Sequence, residues 1–205
     1  MPFNISSFKA NALPYGGARP SQFNIILTVP SIIGIDSVSV AKFTVSAHDA
    51  ELPAMKNPAI DVPYFGRKIK VAGSSQEYDD WEVQVYNDED FSVRSLFETW
   101  SNAINSNESN IRMAGLDTEN YKTTAEIFQY AKDGYVIRSY IMNGLFPVEV
   151  GAIKTKWEDR NQIETFSVKF AYDFWLPNIE TSNKQAGGSN TYRAQASIDG
   201  PMGPN

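Results

Sequence analysis

Two periodicities take turns along the chain. Phe166, Val168, Phe170, Tyr172 and Phe174 occupy every second position against Thr165, Ser167, Lys169, Ala171 and Asp173. That alternation predicts a strand with one buried face. Trp81, Val83 and Val85 alternate with Glu82, Gln84 and Tyr86 in the same way. The period then lengthens: Val93, Leu96, Phe97, Trp100 and Ile104 recur at helical spacing and predict one apolar stripe on a helix over about residues 90–105. Asp88, Glu89 and Asp90 stand before it, where carboxylates meet unsatisfied helical amides. Further strands are expected over 22–29, 38–47 (Phe43 and Val45 on one face), 67–72, 123–132, 135–142 and 148–157. Asp133-Gly134 and Asn143-Gly144 supply hairpin turns, and Asn161 closes the turn before the last strand.

Punctuation divides the rest. Residues 48–66 carry Pro53, Pro58, Pro63 and Gly66, which disfavours a central strand and predicts a long loop or an open, extended hairpin. Residues 1–21, rich in Asn, Ser, Gly and Pro, read as an irregular arm. From Pro177 large apolar residues almost vanish, so 177–205 is expected to be a flexible extension that cannot repay its own ordering entropy. The organisation is an arm, a domain over 22–176 and a tail. The fold class is mainly antiparallel β, a sandwich or partly open barrel, with one principal flanking helix.

Composition narrows function mostly by exclusion. A chain of 205 residues suits one domain. Its net charge of −6 is the wrong sign for gripping nucleic acid. The absence of cysteine removes disulfides and thiolate metal sites. There is no run of 18 apolar residues, and the start lacks a basic, then apolar, leader, so neither a membrane span nor a signal peptide is expected. The single histidine, His48, beside Asp49, has no placed serine in a Gly-x-Ser-x-Gly context to make a triad. Asp79-Asp80 reads as a turn into the Trp81 strand, and Asp88–Asp90 lacks the spacing of a calcium loop. Phosphate-binding glycine loops are missing too. No catalytic, cofactor or metal residue is nominated. Lys68 and Lys70, on one strand face beside Arg67, suit a solvated face or an ion pair between subunits.

An ordered series of short motifs is more specific. It runs from Arg19-Pro20 and Phe23 through Leu52-Pro53, Arg67–Gly73, Asp79-Asp80-Trp81 and Val83–Glu89. It continues through Gly144-Leu145-Phe146-Pro147, Val150-Gly151, Trp157-Glu158 and Asn161–Glu164, and closes on Phe166, Val168 and Tyr172–Trp175. In this the chain resembles the tail tube proteins of contractile-tailed, T4-like bacteriophages. The resemblance implies a structural subunit of the virion tail, assembled in the host cytoplasm. Such subunits form hexameric rings that stack into a hollow conduit for the genome, with sheath, baseplate and tape-measure proteins as partners. DNA would pass without specific binding. Unpaired strand edges would then be completed by identical copies.

Two surfaces follow from that resemblance as expectations. Residues 48–66 reach the next ring, with Leu52, Pro53, Met55, Pro58 and Tyr64 as contacts. An acidic bore wall repels phosphate, with Glu82, Gln84, Thr165, Ser167, Lys169 and Asp173 as lumen-facing candidates; which sheet face is inside stays open. The competing readings are a tube of a type VI secretion or bacteriocin-like injection system, a single-ring baseplate or terminator protein, and, in another class, a carbohydrate-binding β-sandwich.

Overall fold

The computed structural model describes residues 4–13, 15–158 and 162–178. Its centre is an open antiparallel sheet that bends on one long strand. In chain order the strands are β1 (Phe23–Leu27), β2 (Ala47–Ala50), β3 (Ala59–Tyr64), β4 (Arg67–Ala72), β5 (Trp81–Tyr86), β6 (Thr123–Tyr130), β7 (Val136–Val150), β8 (Thr165–Ala171) and β9 (Phe174–Asn178). The sheet path is β1-β6-β7-β8-β5-β2, with β9 also on β7, while β3 and β4 form a separate ribbon. The path does not close into a barrel: β1 and β2 are its free ends.

β7 makes the bend. Its first half pairs with β6 and β9, and Phe146–Val150 pairs with β8. Two leaves therefore share one strand: β1-β6-β7-β9, and β7-β8-β5-β2. Gly144 sits at the changeover with φ 70°, so Asn143-Gly144 is a bend inside a continuous strand rather than the expected hairpin turn. A left-handed residue serves either purpose, which is why the dipeptide misleads. The strand expected over 148–157 accordingly stops at Val150. Asn161 lies outside the described residues.

The core lies between the leaves and two helices. α1 (Ile5–Asn11) and α2 (Ser37–Ser46) precede α3 (Ser92–Ile104) and the one-turn α4 (Thr118–Tyr121). Val83, Val85, Phe166, Val168 and Phe170 from one leaf join Ile25, Leu27, Ile127 and Met142 from the other. From α3, Val93, Leu96, Phe97 and Trp100 are fully buried and Ile104 is half-buried. Phe97 meets Phe43 and Phe170 edge-on at 5.2 and 5.6 Å. The Trp100 indole N–H donates to the Tyr121 carbonyl at 3.0 Å, which satisfies its one polar atom inside the core.

Three expectations are corrected. Residues 38–47 are not a strand: 37–46 form α2, with Phe43 wholly buried and Val45 85% exposed, so the two do not share a face. Phe43 and Val45 fit an alternating spacing and Val40 and Phe43 a helical one, and burial of Phe43 on Phe97 decides for the helix. The arm over 1–21 contains α1, opened by the Asn4 side chain, which accepts from the Ser6 and Ser7 amides; α1 buries none of its residues. The last alternating strand breaks at Tyr172-Asp173, and Phe174–Asn178 crosses to β7 as β9. Pro177 and Asn178 thus belong to the sheet and not to a tail, and 179–205 lie outside the described residues.

Candidate functional site

The β5·β8 register gathers most of the polar candidates. Glu82 stands opposite Lys169, Gln84 opposite Ser167, and Tyr86 opposite Thr165. Each is on the face away from the core, because Trp81, Val83, Val85, Phe166, Val168 and Phe170 take the other side. Neighbouring strands extend the face. Asp49 of β2 pairs with Gln84, and Glu149 of β7 pairs with Lys169. Lys169 Nζ donates to Glu149 at 2.7 Å, and that hydrogen bond holds its ammonium above the usual lysine range. Gln84 Nε2 donates to Glu82 at 3.0 Å. His48 stacks on Tyr86 with ring centroids 4.0 Å apart, at the β2 edge of this face. Along these strands Asp49, Glu82 and Glu149 outnumber Lys169, a local excess of negative charge that repels a polyanion, while Lys154 and Lys156 border Gln84, Thr165 and Ser167 at the β8 side.

Asp173 stands apart from these residues. Its carboxylate pairs with Lys122 at 2.8 Å and fills the space a Cβ on Gly144 would need. It helps hold the β7 bend.

The residues of 48–66 form two surfaces. Leu52 and Pro53 border a groove of about 300 Å³ rimmed by Asp49, Glu51, Asp80 and Glu82. Two tryptophans tie this segment down: Trp81 Nε1 donates to the Glu51 carbonyl at 2.8 Å, and Trp175 Nε1 to the Ala54 carbonyl at 3.1 Å. Met55 lies near Trp175 and Arg138. Beyond Pro58 the chain enters the β3–β4 ribbon, whose base is closed by the Gly73 amide on the Pro58 carbonyl at 2.7 Å. Every residue of both ribbon strands is exposed. Tyr64 and Phe65 form its tip, with Phe65 92% exposed and in the left-handed region at φ 43°.

The ribbon is amphipathic, a feature the prolines of 48–66 hid. Ile60 pairs with Val71, Val62 with Ile69 and Tyr64 with Arg67 on one face; Asp61, Lys68 and Lys70 are on the other. Isolated two-stranded ribbons are marginal in water, and one with a bare apolar face needs a partner surface. The alternation Ile60-x-Val62-x-Tyr64 is the signal that identifies it.

The acidic run before α3 has a local task. Lys42 of α2 reaches Asp88 and Asp90 at 3.0 and 2.6 Å and Ser92 Oγ at 3.0 Å. Partial burial pushes the Asp88 carboxyl up, but hydrogen bonds from Ser92, Lys42 and the Val93 amide outweigh it and bring its pKa to about 2. The run therefore locks α2 to the start of α3. Among the described residues, no cluster of His, Asp or Glu is arranged to hold a metal ion.

Comparison with known proteins gives the family and the fold. A family model described as "Phage tail tube protein" matches residues 18–178. The tail tube protein gp19 of Enterobacteria phage T4 is 35% identical over 159 residues, covering 77% of this chain and 90% of that protein. Its counterpart from Enterobacteria phage T6 is 34% identical over the same length. Among solved structures, a chain of the anti-feeding prophage baseplate superposes with TM-score 0.55 at 10% identity, over 79% of this chain and 95% of that one. A chain of the sheath/tube terminator of an extracellular contractile injection system gives TM-score 0.55 at 11% identity, over 79% and 96%. At those identities the likeness is one of fold.

Proposed function

The chain belongs to the phage tail tube protein family, and from that premise we infer that it forms hexameric rings which stack into the hollow conduit of a contractile tail. The protein is a structural subunit and performs no catalysis. The observation that carries this reading is the open sheet with a solvent-exposed ribbon. β1 and β2 end the sheet path, and the β3–β4 ribbon offers an apolar face that nothing among the described residues covers. Identical copies complete both in one step: ring closure pairs the sheet ends, and head-to-tail stacking covers the ribbon.

The acidic face of β5 and β8, with Glu82, Gln84, Thr165, Ser167 and Lys169, lines the bore. Its strand residues are polar, with carboxylates in excess of Lys169, and that excess lets DNA slide without adhering. Leu52, Pro53, Met55, Pro58 and Tyr64 contact the neighbouring ring. Sheath, baseplate and tape-measure proteins are the partners of the finished tube in the virion tail, after assembly in the host cytoplasm. A tail tube is favoured over a secretion-system tube by sequence, since the phage relatives are 34–35% identical over three quarters of the chain.

Electron microscopy of the purified protein in negative stain tests the reading. Hollow rods of uniform diameter are expected at high concentration. Small monodisperse particles at every concentration, with no rings, refute it.

A further inference from the structure

The outer face of the β1-β6-β7-β9 leaf is the counterpart of the acidic one and has the opposite character. Register places Ile26, Glu126, Ile141 and Leu176 in one row across the four strands. The adjoining rows carry Phe128 beside Ser139 and Phe174 beside Asn143. Ile26, Phe174 and Leu176 are exposed, and Phe128 and Ile141 are half-buried. Asn24, Thr124, Ser139, Asn143 and Asn178 stand among them, so the face mixes apolar with uncharged polar side chains and holds a single charge, Glu126. The Glu126 carboxylate accepts from the Ser139 hydroxyl at 2.7 Å and has isoleucines on both sides in its row. The exposed Ile26, Phe174 and Leu176 on it are the mark of an interface.

The β3–β4 ribbon has matching dimensions and opposite charge. Its apolar face is three cross-strand rows deep, as is the sheet face, so each spans about 10–20 Å along the strands. That face also carries a single charge, Arg67, opposite Tyr64. The ribbon as a whole holds Arg67, Lys68 and Lys70 against Asp61, so it is a basic element in a chain of net charge −6. Among the described residues its strands pair only with each other, and Lys68–Asp61 at 3.8 Å is the one ion pair within it.

We propose that the ribbon of one copy lies, apolar face down, on the β1-β6-β7-β9 leaf of a second copy, with Arg67 seated on Glu126 of that neighbour. The contact rests on the tube reading and deepens it by naming the receiving surface. Because two different patches meet, the contact is heterologous and propagates from copy to copy rather than closing as a pair. Ile60, Val62, Ile69 and Val71 cover Ile26, Ile141 and Leu176, and the guanidinium supplies the donor that the carboxylate otherwise finds only in Ser139. A half-buried carboxylate enclosed by apolar groups discriminates strongly between a cation and a second anion, which sets the register of the ribbon.

Charge reversal tests the pairing. R67E and E126R, purified separately, should each raise the concentration needed for rod formation at least tenfold, measured by sedimentation and negative stain. The double variant R67E/E126R should return to within about threefold of the parent. E126Q guards against misfolding of E126R: it should fold with an unchanged circular dichroism spectrum yet assemble more weakly than the parent. The absence of native cysteine allows a second readout. Mixed R67C and E126C proteins should give a covalent dimer under oxidising conditions, and neither should do so alone to a comparable extent. A parent that forms rods, with single variants that also form them normally, or a double variant no better than the singles, overturns the pairing while leaving the tube intact. A parent that never forms rods refutes the tube reading itself.

Discussion

Replacing Gly144 by alanine probes the bend on which both leaves depend. Gly144 has φ 70° in the middle of β7, where the strand leaves β6 and β9 and joins β8. An L-residue held in that region costs about 1–2 kcal/mol. The added Cβ would also overlap the Asp173 carboxylate and push it away from Lys122. That pair is partly exposed, so losing it adds only about 0.5 kcal/mol. The expected destabilisation of Gly144→Ala is about 2 kcal/mol, equivalent to roughly 4–8 °C in Tm for a chain of this size. Urea unfolding followed by tryptophan fluorescence, at concentrations below assembly, measures it. Asp173→Ala alone should cost about 0.5 kcal/mol, and the double variant should retain most of the glycine effect because backbone strain persists when the clash is removed. A Gly144→Ala protein within about 0.5 kcal/mol of the parent, or a full rescue by Asp173→Ala, would refute the reasoning.

Three further outcomes follow from the core, the helix lock and the ribbon. Trp100→Ala should lose about 3–5 kcal/mol by calorimetry, since a wholly buried indole leaves a cavity and strands the Tyr121 carbonyl. Asp88 has a folded-state pKa of about 2 against an ordinary 3.8, so its contribution is complete above pH 4 and lost as pH falls through 2. Asp88→Asn should therefore reduce the loss of stability between pH 4 and pH 2 in urea titrations, and an unchanged slope would remove Asp88 from the helix lock. Replacing residues 59–72 by a short Gly-Ser linker should leave Tm within about 3 °C, because every residue of the two strands is exposed, while abolishing rods in negative stain.

What the chain discloses before folding depends on how far a local pattern agrees with its surroundings. β5, β8 and α3 are legible because three or more apolar positions keep one period and the opposite positions are mostly polar. α2 is not, because ten residues rich in valine and serine satisfy two periods at once, and only the contact of Phe43 with Phe97 selects one. The crossing to β9 is hidden because Tyr172 and Phe174 continue the phase of β8 through the break. The polar alternation of β5 and β8 could be read, but its relation to the acidic residues Asp49 and Glu149 required the register of two distant strands. The apolar outer row Ile26, Glu126, Ile141 and Leu176 is assembled from four strands, each contributing one residue, so no segment of sequence contains it.

The most direct measurement is a cryo-electron microscopy reconstruction of rods grown from the purified protein. The account predicts a six-fold tube in which Glu82, Gln84 and Lys169 face the bore and the β3–β4 ribbon covers the β1-β6-β7-β9 leaf of a neighbouring copy. A tube whose bore is lined by Ile26, Phe128 and Leu176 instead, or a ribbon left free in solvent, would contradict it.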